Sequence, residues 1–133
     1  MNYFAYGSNL NKRQMLERCP GSKTKFPATL PNYKLLFTGY SRFWKGGSAS
    51  IKPFKGEKVL GAIYELTELD LRKLDKYEDY PGTYNRFNIT AWTENGDAIE
   101  SITYIKKEQA TETKPSLEYL NTIRQGYKDW QIE

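Results

Sequence analysis

The sequence predicts an α+β fold: a small, mostly antiparallel, barrel-like sheet of about six or seven strands with about three helices. Three observations predict it. Short runs of β-branched and aromatic residues recur with turn residues between them. Glu94-Asn95-Gly96-Asp97 joins two runs that alternate at period two, and its Asn-Gly is the strongest short hairpin signal. Three further segments carry helix start or stop residues. The 133 residues suit one domain, 1–133, and a chain of this length buries roughly two-thirds of its unfolded surface.

Tyr3 to Tyr6 reads as a short strand that Gly7-Ser8-Asn9 ends. Asn9 or Asn11 then caps a helix running to about Arg18, and Cys19-Pro20-Gly21 stops it. Phe26 to Leu30 and Tyr33 to Tyr40 read as strands broken by Pro31-Asn32. A polar loop with Gly46-Gly47 precedes two more strands, Ala49 to Ile51 and Val59 to Leu66. Thr67 to about Asp79 is the clearest helix: Thr67 suits the N-cap, and Glu68 and Asp70 place negative charge in the first turn. Pro81-Gly82 closes that segment. Tyr84 to Trp92 and Ala98 to Ile105 form the hairpin. Lys114-Pro115-Ser116 opens a last helix with Leu117, Leu120 and Ile123 on one face and Gly126 as its C′ residue.

Composition narrows the chemistry. The chain has no His, which removes the commonest general base, the commonest metal ligand and every Ser-His or Cys-His mechanism. Its single cysteine, Cys19, can form neither an internal disulfide nor a thiolate zinc site. Any reaction must therefore use carboxylates, Tyr, Lys, Ser or backbone dipoles. The net charge of +4 is scattered and does not demand nucleic acid. No apolar run is long enough to cross a membrane, and no secretory pattern opens the sequence, so a reducing cytoplasm is the expected compartment.

Four places can hold chemistry. At Tyr6-Gly7-Ser8-Asn9-Leu10 a strand turns sharply at a glycine, and the amides that follow would open a helix N-terminus suited to an anion. An ordinary Asn-capped turn explains the same residues. Glu78 lies four and seven positions after Leu74 and Leu71, which puts a carboxylate on the apolar face of its helix. It would be a general acid-base with a raised pKa, a solvated residue beyond a frayed helix end, or the ion-pair partner of Arg86. Asp75 and Asp79 are near enough in sequence to raise its pKa by repulsion. Gly46 to Ile51 offers either room above the sheet for a ligand or a tight barrel corner. Tyr119 sits off the Leu117-Leu120 line and points into a cleft, into the core or to the surface. Trp44, Trp92 and Trp130 read as packing residues.

Tyr3-Phe4-Ala5-Tyr6-Gly7-Ser8-Asn9-Leu10 closely resembles the N-terminal signature of the gamma-glutamyl cyclotransferase-like family. Gly46 to Ile51, Gly61-Ala62-Ile63-Tyr64, Leu69 through Tyr84 to Arg86, and Pro115-Ser116 with Tyr119, Ile123 and Gly126 resemble later parts of its pattern in order. The resemblance implies a small mixed barrel-like fold that releases 5-oxoproline from a gamma-glutamyl compound. It implies Glu78 as general acid-base, the loop Tyr6, Gly7, Ser8, Asn9 and Leu10 as the holder of the glutamyl group, and Tyr119 as a contact from the last helix. It implies no cofactor, no metal, and no nucleic-acid or membrane partner. Monomer and homodimer stay open, as does the leaving group, which would be an amino acid, a dipeptide such as that of glutathione, or another amine. Many family members have Gly directly after the glutamate, where this chain has Asp79. The rival readings are a basic, aromatic-rich barrel that stacks single-stranded nucleic acid, with Arg42-Phe43-Trp44-Lys45 as its one local run, and an inactive binding module of the same fold.

Overall fold

Five strands close a barrel in the computed structural model, which describes residues 1–108 and 111–132. In chain order they are β1 (Asn2–Ala5), β2 (Lys23–Ser41), β3 (Gly46–Glu65), β4 (Tyr84–Trp92) and β5 (Ala98–Lys106). The helices are α1 (Lys12–Arg18), α2 (Glu68–Tyr77) and α3 (Leu117–Trp130). Strand order is β1-β3-β2-β4-β5, and β1 closes the barrel by pairing parallel to β5 at Tyr3 and Ile102. All other pairings are antiparallel.

The strand count is lower than the sequence suggests because two expected breaks face each other across a single register shift. Pro31 pairs with Lys58 and Tyr33 with Pro53, so the register shifts at Asn32 without ending the ladder. Asn32 and Gly56 both take positive φ, 62° and 91°, and the Gly56 N–H donates to Asn32 Oδ1 at 3.2 Å. The polar stretch Lys52 to Lys58, which resembles a loop, is therefore the outer part of one long bent hairpin. Tyr6 lies just past β1 rather than inside it.

Alternation along the strands divides the apolar residues. Phe4, Leu30, Ile51, Ile63, Ile89 and Ile105 form the cluster within the barrel, and α3 adds Tyr119 and Ile123 to it. Tyr3, Ala62, Tyr64 and Tyr104 face outward and pack against Leu10, Met15, Leu74 and Trp130 of the helical layer. Of the two candidate caps, Asn11 holds α1 by accepting from the Gln14 N–H at 3.0 Å, while Ser8–Leu10 form a separate 3-10 turn. Thr67 and Asp70 form a reciprocal capping box on α2.

The buried stripe of α3 is Tyr119, Ile123, Gly126 and Trp130, not the Leu117-Leu120 line, and Leu117 is 68% exposed. Gly126 lies inside the helix; a Cβ there would stand 2.6 Å from Leu10 Cβ, so its role is close approach rather than capping. Trp44 and Trp130 are packed as expected, but Trp92 is largely exposed. Among the described residues no helix is long and apolar enough to cross a membrane.

Candidate functional site

The last residues of β2 and β5 and the first of β3 and β4 meet at one end of the barrel, together with the turn after β1 and the turn after α2. They enclose a cavity of about 860 Å3 lined by Ser8, Trp44, Glu78, Tyr84, Lys106 and Tyr119 among others. Ser8, Glu78, Tyr84 and Tyr119 also line a small inner recess of about 30 Å3, with Tyr6, Gly7 and Asn9. The expected site residues thus converge, with one exception. Leu10 is fully buried among Met15, Cys19 and Leu74 and supports the turn from behind.

Glu78 is the C-cap of α2, its N–H bonded to the Leu74 carbonyl at 2.8 Å. The helix ends one residue before it, so Glu78 keeps the inward direction of the Leu74 face while its side chain clears the last turn. By surface area the residue is half-buried, because it borders the cavity, yet protein surrounds its carboxyl densely. This burial pushes the carboxyl pKa up to about 7, against the opposing pull of Arg18, the Asn9 amide and Lys106. The two alternatives to an inward carboxylate are not realised. Arg86 pairs with Asp75 at 3.5 Å instead, and Tyr104 donates to the same carboxylate oxygen at 2.5 Å. Asp79 turns back to accept from the Thr83 N–H and hydroxyl at 3.2 and 2.8 Å. Neither aspartate is among the causes of the raised Glu78 pKa.

Asp79 has a φ of 51°, left-handed backbone that favours glycine, and its short carboxylate, bonded to its own turn, explains why Asp is tolerated there. Gly82 packs against it, since a Cβ there would stand 2.6 Å from an Asp79 carboxylate oxygen.

Gly7 makes the sharp turn, and Leu10 and Asn11 close the 3-10 turn on the Gly7 and Ser8 carbonyls, each at 3.0 Å. Among the described residues, the backbone amides of Ser8 and Asn9 donate to no protein acceptor. Asn9 is fixed from three sides: its side-chain Nδ2 donates to Tyr3 Oη at 2.9 Å, its side-chain oxygen accepts from Arg18, and its backbone carbonyl accepts from Tyr64 Oη at 2.8 Å. Arg18 also donates to Ser8 Oγ at 3.2 Å and lies 3.5 Å over the ring of Tyr77. Tyr119 points inward, accepts from the Ala49 N–H at 2.9 Å and stacks on Trp44 with centroids 4.5 Å apart. Because Trp44 is turned inward, the Arg42 to Lys45 run presents Phe43, not a row of rings, to solvent.

The Gly46-Gly47 pair clears space for the chain itself. A Cβ on Gly47 would stand 2.6 Å from the Thr113 carbonyl oxygen, and one on Gly46 2.8 Å from the Ser116 amide nitrogen. The strand passes directly under the segment leading into α3. Sequence reading missed Arg18, Tyr84 and Lys106; in sequence Arg18 is only a basic residue in a last helical turn, and the other two are ordinary strand-end residues.

A five-stranded barrel whose open end holds a carboxyl with a pKa raised to about 7 beside backbone donors has the groups that acid-base chemistry on a small polar molecule needs. The chain belongs to the gamma-glutamyl cyclotransferase, AIG2-like family, whose model matches residues 3–131. It is 32% identical to the gamma-glutamylcyclotransferase of Bos taurus and 30% identical to that of Homo sapiens. Each match spans 96% of this chain and 70% of the relative. A solved gamma-glutamyl cyclotransferase superposes with a TM-score of 0.92 at 29% identity, covering 98% of this chain and 79% of the other.

Proposed function

We propose that the chain is a gamma-glutamyl cyclotransferase that converts a gamma-glutamyl compound to 5-oxoproline and a free amine, with Glu78 as general acid-base. The observation that carries the reading is the Glu78 carboxyl, raised to about 7, bordering the same recess as Gly7, Ser8 and Asn9. The substrate brings its own nucleophile. Its α-amine attacks the γ-carbonyl, the C–N bond to the leaving amine breaks, and a five-membered lactam forms. Positioning accounts for much of the acceleration, because both reacting groups belong to one molecule. Ionised Glu78 takes a proton from the α-ammonium, the ring nitrogen sheds a second as the lactam forms, and the departing amine takes up both, one from Glu78, so it leaves as an ammonium and Glu78 finishes ionised.

The loop from Tyr6 to Asn9 holds the glutamyl end, with the Ser8 and Asn9 amides as donors to its carboxylate or to charge developing on the carbonyl oxygen. Tyr119 stands beside the loop, its hydroxyl 3.7 Å from where a Gly7 Cβ would lie, and Leu10 fixes the turn without touching substrate. The cycle needs no metal or cofactor. The reading places the chain in a reducing cytoplasm, acting on a small molecule. The test is to incubate purified protein with a panel of gamma-glutamyl amino acids, peptides and amines and assay 5-oxoproline. Release from at least one compound is expected; release from none overturns the proposal.

A further inference from the structure

We propose that the bulge at Phe54 in β3 and the lysines around it form a docking surface for an anionic lipid bilayer, on which the protein rests peripherally. The contact is separate from the cyclotransferase site, and the family resemblance does not imply it. Positive charge is unevenly divided along the chain. Residues 31–58 hold Lys34, Arg42, Lys45, Lys52, Lys55 and Lys58 against one acidic residue, Glu57. Elsewhere acidic residues slightly outnumber basic ones, although the whole chain carries 20 basic against 16 acidic. The β2-β3 hairpin therefore carries the net positive charge of the protein.

Strand pairing gathers part of that charge around one apolar side chain. Lys34 and Lys52 stand directly opposite each other, hence on one face of the sheet. Pro31 pairs with Lys58 and Tyr33 with Pro53, so Phe54 to Glu57 stand opposite Asn32 alone and project from the ladder. All of these bulge residues are exposed, and Phe54 keeps 45% of its surface in solvent. Lys34 Nζ lies 4.5 Å from the centre of the Phe54 ring, which brings the ring to the side of the lysine pair. Like charges directly opposite repel. Among the described residues, no carboxylate lies within ion-pair distance of Lys34, Lys52, Lys55 or Lys58. The fold thus holds cations that it does not neutralise, around a ring that it does not bury. An anionic bilayer satisfies both: its headgroups neutralise the lysines, and its interface takes up the ring. A projecting bulge with one ring also suits a deformable surface better than a nucleic-acid strand, which calls for successive rings along a groove. Lys34, Lys52, Phe54 and Lys55 do not line the cavity at the open end of the barrel.

The test is co-sedimentation of the full chain with vesicles of phosphatidylcholine containing about 30% phosphatidylserine, beside vesicles of phosphatidylcholine alone, at about 0.1 M salt. Binding to the first is expected, with binding to the second weaker by about tenfold or more. Raising the salt to about 1 M, where the Debye length is about 3 Å, is expected to release the protein. Lys34→Gln combined with Lys52→Gln is expected to weaken the partition about 10- to 30-fold, roughly fivefold for each lysine. Its melting temperature is expected to hold or rise, because the facing charges are gone. Phe54→Ser is expected to weaken binding about threefold to tenfold with the salt dependence retained. Arg124→Gln combined with Lys128→Gln removes the same charge from exposed positions on α3 and is expected to keep most of the binding. Equal losses in the two double variants mean attraction by net charge alone and overturn the proposal. Unchanged binding by Phe54→Ser, equal binding to both kinds of vesicle, or no binding to the anionic ones overturns it as well. Displacement of the protein from anionic vesicles by a single-stranded oligonucleotide at a lower phosphate concentration than that of the lipid assigns the patch to nucleic acid and also overturns it.

Discussion

Glu78→Gln keeps the size and hydrogen-bonding capacity of the side chain and removes its proton chemistry, so it separates function from folding. A carboxyl pKa raised from 4.5 to about 7 places the charged form at a disadvantage of about 3 kcal/mol relative to the unfolded chain. That figure is already net of the attraction from Arg18, Asn9 and Lys106; desolvation outweighs all three. Water in the cavity screens part of it, leaving about 1–3 kcal/mol. The folded protein holds this proton more tightly than the unfolded chain does. Folding therefore takes up a proton between about pH 4.5 and 7, and wild-type stability falls as pH rises through that window. Below it both states are protonated and the cost vanishes; above it the cost is complete. The variant has no such window. It is expected to match wild type near pH 4.5 and to exceed it by about 1–3 kcal/mol at pH 8, read from urea midpoints at both values. Release of 5-oxoproline is expected to fall by about two to four orders of magnitude, the range for a lost general acid-base. Full activity in the variant refutes the mechanism. A stability difference that does not change with pH refutes the burial argument, and loss of activity with unfolding at both pH values makes Glu78 a structural residue.

The wild-type rate is expected to rise with pH to a plateau above about 7, because the ionised carboxylate takes the first proton; a flat profile from pH 5 to 9 contradicts this. Arg18→Gln is expected to move that midpoint upward, since Arg18 favours the charged form, and an unchanged midpoint in initial-rate profiles would count against the coupling. Asp79→Ala is expected to lose about 1–2 kcal/mol in melting experiments, from the broken Thr83 contacts that offset the φ of 51°, while Asp79→Gly, which also removes the Cβ held at that φ, loses less. Equal losses in the two variants would show that backbone strain plays no part. Gly47→Ala is expected to lose about 1–3 kcal/mol, because its methyl meets the Thr113 carbonyl oxygen at 2.6 Å as well as Thr113 Oγ1, and a rotamer change frees only the second; a neutral substitution would show that the crossing segment yields.

The parts legible in sequence are those whose signals lie within a few residues. Thr67 and Asp70 specify the start of α2, Asn95-Gly96 the β4-β5 turn, and Leu71, Leu74 and Glu78 the inward face that puts a carboxyl at the site. The eight residues from Tyr3 to Leu10 carried the family resemblance. Polar Lys52 to Lys58 and Pro31 misled because pairing across a bulge leaves no local trace: the partner strand decides it. Leu117 misled because hydrophobicity names a face that packing does not use, whereas Gly126 allows α3 to approach Leu10 along another stripe.

What the sequence determined by itself is the chemistry permitted: no imidazole, one cysteine, and a glutamate on an apolar helix face. The tertiary structure alone decided which groups meet it. Arg18, Asn9 and Lys106 come from α1, the turn after β1 and the end of β5, and barrel closure brings them to one rim. Tertiary packing also sent Arg86 to Asp75, which left Glu78 without a close ion-pair partner among the described residues. The raised pKa depends on that burial and on those distances, and neither is set by residues adjacent in the chain.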